Sequence, residues 1–262
     1  MTDPGGGLSG LRVLVTRPAR QAENFSRLVR GEGGEVFAFP TIEIVPMAST
    51  AAFESLASDT PHYALMIFVS ANAVAYGAEL LKARGLWPPE VELAAVGRRT
   101  AELLVRQGCA RPLVPERDFN SEALLELPAL REVRGKRVLI VRGEGGRELL
   151  AEELHRRGAE VAYAEVYRRE VPNQDPQPLR DALDAGAIQV GTVTSNESLR
   201  NLWEMVGTLG RDALQGLPLV VAGPRVAALA RSLGFRYPPW SAADATDESM
   251  LRALKDWWRG RQ

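Results

Sequence analysis

The amino-acid sequence predicts an α/β protein in which a doubly wound parallel sheet is built twice. Three observations predict it: an internal duplication, short β-rich apolar runs alternating with helix-period segments, and small, hydroxylic or arginine residues where strand candidates end.

The duplication emerges when the 262-residue chain is slid against itself. Arg12-Val13-Leu14-Val15-Thr16-Arg17 aligns with Arg137-Val138-Leu139-Ile140-Val141-Arg142 at an offset of 125, and Glu35-Val36 meets Glu160-Val161 at that offset. Phe68-Val69-Ser70 meets Val193-Thr194-Ser195, again at 125. Val96-Gly97 with Thr100-Ala101 falls on Ala222-Gly223 with Val226-Ala227 at 126, which one inserted residue explains. The last helix agrees, since Asn120-Ser121-Glu122-Ala123-Leu124-Leu125 lies on Thr246-Asp247-Glu248-Ser249-Met250-Leu251. Blocks in one order at nearly constant spacing are hard to produce by chance.

The strand candidates of the first copy are Val13–Val15, Val36–Phe39, Leu65–Val69, Leu93–Val96 and a weak one at Pro112–Val114. Those of the second are Val138–Val141, Val161–Ala164, Val190–Val193, Leu219–Ala222 and a weak one near Phe235–Tyr237. Helix-period segments lie between them; Val226, Leu229, Ala230 and Leu233 form the stripe of a helix packed on a sheet. Gly108 and Gly234 are placed to close matching helices as left-handed caps. Five strands per copy with intervening helices predict two flavodoxin-like lobes.

The second strand of each copy runs on unusually far, as Phe37–Pro46 and Ala162–Pro172. Paired, the two would make a two-stranded β-ladder joining the lobes. The first lobe would then comprise residues 1–40 plus 171–262 and the second 41–170, with linker strands near 37–46 and 162–172. Two contiguous halves cut near residue 130 fit the sequence equally.

Composition narrows the function. With 45% apolar and 25% charged residues the chain buries a core, and a net charge of −1 argues against the broad basic surface of a non-specific nucleic-acid binder. A single cysteine, Cys109, excludes an internal disulfide framework or a cysteine-rich metal site and makes a reducing compartment the expectation. No run approaches a membrane span, and Met1–Gly10 is not built like a leader, so a cytoplasmic protein with a frayed N-terminus is expected.

Ligands of open α/β sheets bind beyond the carboxyl ends of the strands, where helix N-termini offer free N–H groups and partial positive charge. The loops to read are therefore Thr16, Arg17 and Pro18; Ser70, Ala71 and Asn72; and Gly97, Arg98, Arg99 and Thr100 in the first copy. In the second they are Arg142, Gly143 and the run to Arg147; Thr194, Ser195 and Asn196; and Gly223, Pro224 and Arg225. Small residues let backbone amides approach a ligand, hydroxyls add donors, and Arg grips a carboxylate or phosphate with two prongs. The same residue types also cap helices in any α/β protein. Familiar cofactor signatures are absent: Glu148 stands where a dinucleotide fingerprint needs its third glycine, and there is no Walker loop or nucleophile elbow. His62 and His155 lie outside the loops and are expected to face solvent. An enzyme of this composition would work mainly by holding an anion in a shape, with Tyr167 on the second long strand as a mild proton donor or a packing aromatic.

Across nearly its whole length the chain resembles the uroporphyrinogen-III synthase family. The likeness rests on Val15-Thr16-Arg17-Pro18, the Phe68–Val74 block, Val96-Gly97 with Thr100, and Phe119-Asn120-Ser121-Glu122, followed by Val166-Tyr167, Val193-Thr194-Ser195-Asn196 and Ala222-Gly223-Pro224. The resemblance implies two flavodoxin-like lobes joined by a two-stranded ladder. It implies closure of hydroxymethylbilane to uroporphyrinogen III with inversion of ring D and loss of water, a step of haem and sirohaem synthesis that needs no cofactor. The free bilane closes without inversion, so such an enzyme must fold its eight-carboxylate substrate before the hydroxymethyl end reacts. By the same resemblance Tyr167 assists departure of the hydroxyl, while Ser70, Thr100, Ser195 and neighbouring loop amides contact carboxylates. The chain departs from relatives at Asn72 and Arg225. A monomer is implied, in transient contact with the preceding pathway enzyme and with neither nucleic acid nor membrane. The competing readings are a two-lobed anionic-ligand binding protein without catalysis, a glycosyltransferase-like enzyme, for which the chain is short, and a flavin carrier, whose aromatics are missing from the loops.

Overall fold

The computed structural model describes residues 7–47, 56, 58, 59, 62–87, 89–146 and 148–261. The chain divides into two compact units, one formed by the segments up to Glu43 and from Glu170 onward, the other by Ile44–Arg169.

The first unit starts with β1 (Arg12–Val15), α1 (Ala19–Gly31) and β2 (Glu35–Ala38). The second contains β3 (Glu43–Pro46), β4 (Leu65–Phe68), α2 (Ala71–Lys82), β5 (Glu92–Ala95) and α3 (Arg98–Arg106). It continues through α4 (Ser121–Leu125), α5 (Pro128–Arg131), β6 (Arg137–Gly143), α6 (Leu149–Arg156) and β7 (Glu160–Glu170). The chain then returns to the first unit with α7 (Gln177–Asp184), β8 (Val190–Val193), α8 (Asn196–Gln215), β9 (Leu219–Ala222), α9 (Pro224–Ser232), β10 (Trp240–Ala242) and α10 (Asp247–Arg259).

Each unit holds a five-stranded sheet, ordered β10-β9-β8-β1-β2 in the first and β3-β7-β6-β4-β5 in the second. At the centre of each, a strand of the first copy pairs in parallel with a strand of the second. Val13, Leu14 and Val15 face Val190, Gly191 and Thr192, and Leu65–Phe68 face Val138–Val141. Each sheet is covered on both faces. In β1, Leu14 joins the cluster around Leu199 and Val221 while Val13 and Val15 join the cluster around Phe25 and Trp257. This two-sided burial is why the strands read as continuous apolar runs. Gly108 and Gly234, at φ +91° and +80°, occupy the left-handed caps expected of them. None of the described helices is long and apolar enough to cross a membrane.

Three expectations need correction. The segment over 37–46 is two short strands, because the chain turns at Phe39–Ile42. There the N–H of Thr41 and its hydroxyl both donate to the carbonyl of Thr16, at 3.1 and 3.2 Å. β3 then lies beside β7, with Met47 N–H donating to Val166 O at 3.1 Å. The weak strands fare differently: Pro112–Val114 contributes only a bridge from Leu113 to Ala94, and Phe235–Tyr237 is not a strand. Pro238 and Pro239 lack N–H donors, so the ladder to β9 starts only at Trp240. Residues 7–10 form a turn rather than a frayed end: Leu8 is fully buried, and its N–H donates to Glu32 O at 2.9 Å.

A buried hydroxyl network ties the turn at Thr41 to the sheet. Thr16 Oγ1 donates to Thr192 O at 2.9 Å and lies 3.0 Å from Ser198 Oγ, which lies 2.8 Å from Thr41 Oγ1. Since the Thr16 and Thr41 protons go to carbonyls, the single Ser198 proton is shared between two hydroxyl acceptors. Ser198→Ala therefore removes the one proton these two hydroxyls accept, while each still donates to its carbonyl, and is expected to cost about 1 kcal/mol. A urea titration should show a lower midpoint at unchanged slope.

Candidate active site

In the second unit β4, β5 and β6 run parallel, so Ser70, Gly97 and Arg142 come to one edge of the sheet. Ser70 caps α2 by accepting from Ala73 N–H at 3.0 Å, leaving Ala71 and Asn72 in the first turn. Gly97 is the N-cap of α3, whose buried Thr100 faces inward while Arg98 stacks on Phe119 at 4.8 Å.

Tyr167 reaches this edge through a β-bulge. Arg142 pairs with Glu165, but the register then slips so that Gly143 pairs with Tyr167 and Val166 is passed over. Strand alternation would put Val166 and Tyr167 on opposite faces; the bulge lets Ala164, Val166 and Tyr167 enter one buried cluster. The Tyr167 ring then lies across the backbone of Gly143, where a Cβ would sit 2.5 Å from Cε2. Gly143 is thus required by close approach. The phenol oxygen lies 3.2 Å from Ser70 Oγ, and the ring packs 5.9 Å from that of Tyr76, whose hydroxyl donates to Ile44 O. Either hydroxyl can donate in this pair, since Ser70 Oγ keeps a proton and a second lone pair after accepting from Ala73 N–H.

Beside Tyr167 is a pocket of about 190 Å³ under the loop Gly143–Gly146. Arg142 is buried in its wall. Its Nη1 donates to Glu148 Oε1 at 3.2 Å and its Nε to Gly143 O at 3.2 Å, and its guanidinium lies over the ring of Tyr163 at 4.6 Å. Tyr163 in turn donates to Glu148 Oε2. Glu165 accepts from Gly145 N–H at 3.1 Å. Arg147 lies outside the described residues.

The first unit repeats the arrangement at the carboxyl ends of β1, β8 and β9. Ser195 follows Thr194 and caps α8 by accepting from Ser198 N–H at 3.0 Å, as Ser70 caps α2, with Asn196 next in the helix. Gly223 takes φ +84° before Pro224 opens α9, and Arg225 follows in the exposed first turn. Thr16 belongs to the buried hydroxyl network. Arg17 is buried, bonded to Asp247 and, at 2.9 Å, to Ala245 O, with its guanidinium 5.1 Å from the Phe25 ring centre. The predicted residues thus form two sets: Thr16, Arg17, Thr194, Ser195, Asn196, Gly223, Pro224 and Arg225 in one unit, and Ser70, Ala71, Asn72, Gly97, Thr100, Arg142, Gly143 and Tyr167 in the other.

Sequence reasoning missed Tyr163, Glu148, Ser121 and Asp247. Ser121 and Asp247 are matched in the duplication, a signal that could have marked them. Tyr163 carried none, since a tyrosine in a strand is ordinary. Burial, then the hydrogen bond to Glu148 and its negative charge, push the Tyr163 phenol up to about 12. Glu148 is lowered, first by the hydrogen bond from Tyr163 and then by Arg142.

The folded state should therefore hold the Tyr163 proton after an unfolded chain has released it near pH 10. The stability this adds is present below pH 10 and lost as pH rises toward about 12. Burial also raises the Tyr63 phenol, so alkaline absorbance titration should show more than one late phenol and Tyr163→Phe should remove one of them; an unchanged curve would refute the assignment.

Comparison with known proteins agrees with this architecture. A sequence model of the family described as "Uroporphyrinogen-III synthase HemD" matches residues 23–252. The uroporphyrinogen-III synthase of Escherichia coli is 34% identical over 247 residues, covering 94% of this chain and all of that one. That of Synechococcus elongatus is 30% identical over 260 residues, covering 96% and 97%. Among solved structures, a mutant uroporphyrinogen III synthase of Thermus thermophilus superposes with a TM-score of 0.62 at 22% identity, covering 97% of this chain and 100% of that chain. The Helicobacter pylori uroporphyrinogen-III synthetase does so at 0.58 and 14%, covering 94% and 99%. At such identities these two establish the two-lobed α/β fold alone. On its sequence, the chain belongs to the uroporphyrinogen-III synthase family.

Proposed function

We propose that the chain closes linear hydroxymethylbilane to uroporphyrinogen III with inversion of ring D, releasing water, and that Tyr167 serves the departing hydroxyl. The observation that carries the reading is the Tyr167–Ser70 pair at 3.2 Å, set by the bulge at the edge where loop amides and hydroxyls converge. The phenol gives its proton to the hydroxymethyl oxygen, the C–O bond breaks with its electron pair leaving on water, and a pyrrole nitrogen lone pair supports the carbon left behind. Ser70 then donates to the resulting phenolate. The carbon left behind bonds to the already substituted α-carbon of ring D, giving a spiro intermediate. The bond from that α-carbon to its original methylene bridge then breaks, the freed bridge carbon bonds to the other α-carbon of ring D, and the proton lost from that second carbon restores the phenol.

The substrate's carboxylates supply the binding energy. Ser70, Ala71, Asn72, Gly97, Thr100, Arg142 and Gly143 in one unit, and Thr194, Ser195, Asn196, Gly223 and Arg225 in the other, offer N–H, hydroxyl and guanidinium donors at the carboxyl ends of parallel strands, while Pro224, which has no N–H, fixes the start of its helix. Thr16 and Arg17 shape their loop from within, their donors already engaged by the chain. Bending the bilane before it reacts is chiefly positional catalysis, which suits a site with one mild proton donor.

Purified protein given fresh hydroxymethylbilane should yield isomer III, resolved chromatographically after oxidation. Isomer I alone, at the rate of the blank, overturns the reading and favours a binding protein. Tyr167→Phe should lower turnover on the order of 10²-fold while leaving product affinity nearly intact. Full activity in that variant would remove the phenol from the mechanism.

A further inference from the structure

We infer that Arg142 anchors one aliphatic carboxylate arm of the substrate in the pocket beside Tyr167, a subsite created by the absence of an internal carboxylate that the duplicated half of the chain retains. The inference deepens the synthase reading and rests on it.

The two arginines that end the first strand of each copy, Arg17 and Arg142, are equivalent at the offset of 125. Both are buried, and both lay the guanidinium over an aromatic ring, Phe25 and Tyr163 respectively. Their hydrogen bonding differs. Arg17 bonds the carboxylate of Asp247, the first residue of α10, and that carboxylate is further held by Asn24 Nδ2 at 2.5 Å. The residue aligned with Asp247 is Ser121, the first residue of α4, and it lines the Arg142 pocket. Where one unit has a carboxylate, the other has a short hydroxyl and a cavity.

The consequence falls on Arg142 Nη2. Its Nε donates to Gly143 O and its Nη1 to Glu148, with Glu165 4.0 Å from Nε. Nη2, buried in a side chain only 5% exposed, has no acceptor among the described residues. An unpartnered buried donor costs about 1–3 kcal/mol, and for a guanidinium more, so it demands an acceptor. Gly146 lies against it: its φ of +107° favours glycine, and a Cβ there would stand 2.9 Å from Nη2.

The rest of the lining selects the ligand. Val69, Ile140 and Leu150 offer apolar surface to methylene groups, while Arg142 and Arg169 supply positive charge. A short aliphatic arm ending in a carboxylate satisfies both, its head occupying the place that Asp247 holds beside Arg17. Tyr167 shares the wall, so an arm anchored here lies near the phenol and adds to binding. The acidic neighbours Glu144, Glu148 and Glu165 oppose the binding of a further anion. Arg142 therefore holds one arm weakly enough for product to leave.

Two variants test this in steady-state formation of isomer III. Arg142→Met should raise KM for hydroxymethylbilane by about tenfold or more, leaving kcat within about twofold. Ser121→Asp installs the missing carboxylate at a helix start, where negative charge is favoured, and so should fold at least as well as the parent. By pairing internally with Arg142 it should raise KM similarly. An unchanged KM in Ser121→Asp, or in a folded Arg142→Met, overturns the inference and assigns Nη2 to an ordered water; a fall in kcat alone overturns it equally. If Arg142→Met fails to fold, Ser121→Asp decides alone. A parent protein forming no isomer III defeats the synthase reading itself; normal isomer III with unmoved KM values defeats only the subsite.

Discussion

The parallel pairing of β1 with β8, and of β4 with β6, is the constraint from which the rest of the molecule follows. Each pair joins strands from different copies of the duplication, so neither copy completes a sheet from its own residues. Parallel strands also align their carboxyl ends, which brings the loops after β4, β5 and β6 together at one edge and those after β1, β8 and β9 at another. Residues as distant in sequence as Thr16 and Thr192 become hydrogen-bonded neighbours on that account.

The two edges solve one problem differently. Polar side chains buried at the end of a sheet need partners, since the low-dielectric interior makes an unpaired donor expensive. In the first unit Thr16, Thr41 and Ser198 satisfy one another and nearby carbonyls, and Arg17 is held by Asp247. In the second, Arg142 is braced at Nη1 by Glu148, which Tyr163 fixes, while its Nη2 has no acceptor among the described residues. A duplicated scaffold thus retains a closed version of the arginine beside an open one. The difference reduces largely to whether the residue opening the neighbouring helix carries a carboxylate.

Much of this was legible in sequence because it rests on local chemistry. The offset of 125 exposed the repeat, Val13–Val15 and Leu219–Ala222 read as strands, and Ser70 and Ser195 stood where helix caps belong. Other features escaped. A long strand over Phe37–Pro46 was reasonable from β-propensity, but Thr41 turns to bond Thr16, a partner that propensity does not contain. The fifth strand of the second copy was placed too early because Phe235 looks like a strand residue, whereas it packs into the core and the two prolines after Tyr237 delay the ladder. The bulge at Gly143 left no local signature, though it decides which face Tyr167 occupies.

Sequence by itself determined the fold class, the duplication, the residue types at the strand ends and the family, since each depends on hydrophobic period, cap chemistry or ordered motifs within short windows. Tertiary structure alone decided which strands of the two copies pair, that Arg17 is held by Asp247 while Arg142 Nη2 has no acceptor among the described residues, and that Tyr167 lies over Gly143 within reach of Ser70. Those outcomes depend on contacts between segments far apart in the chain, where a register slip of one residue or the loss of one carboxylate changes the chemistry without altering any local pattern.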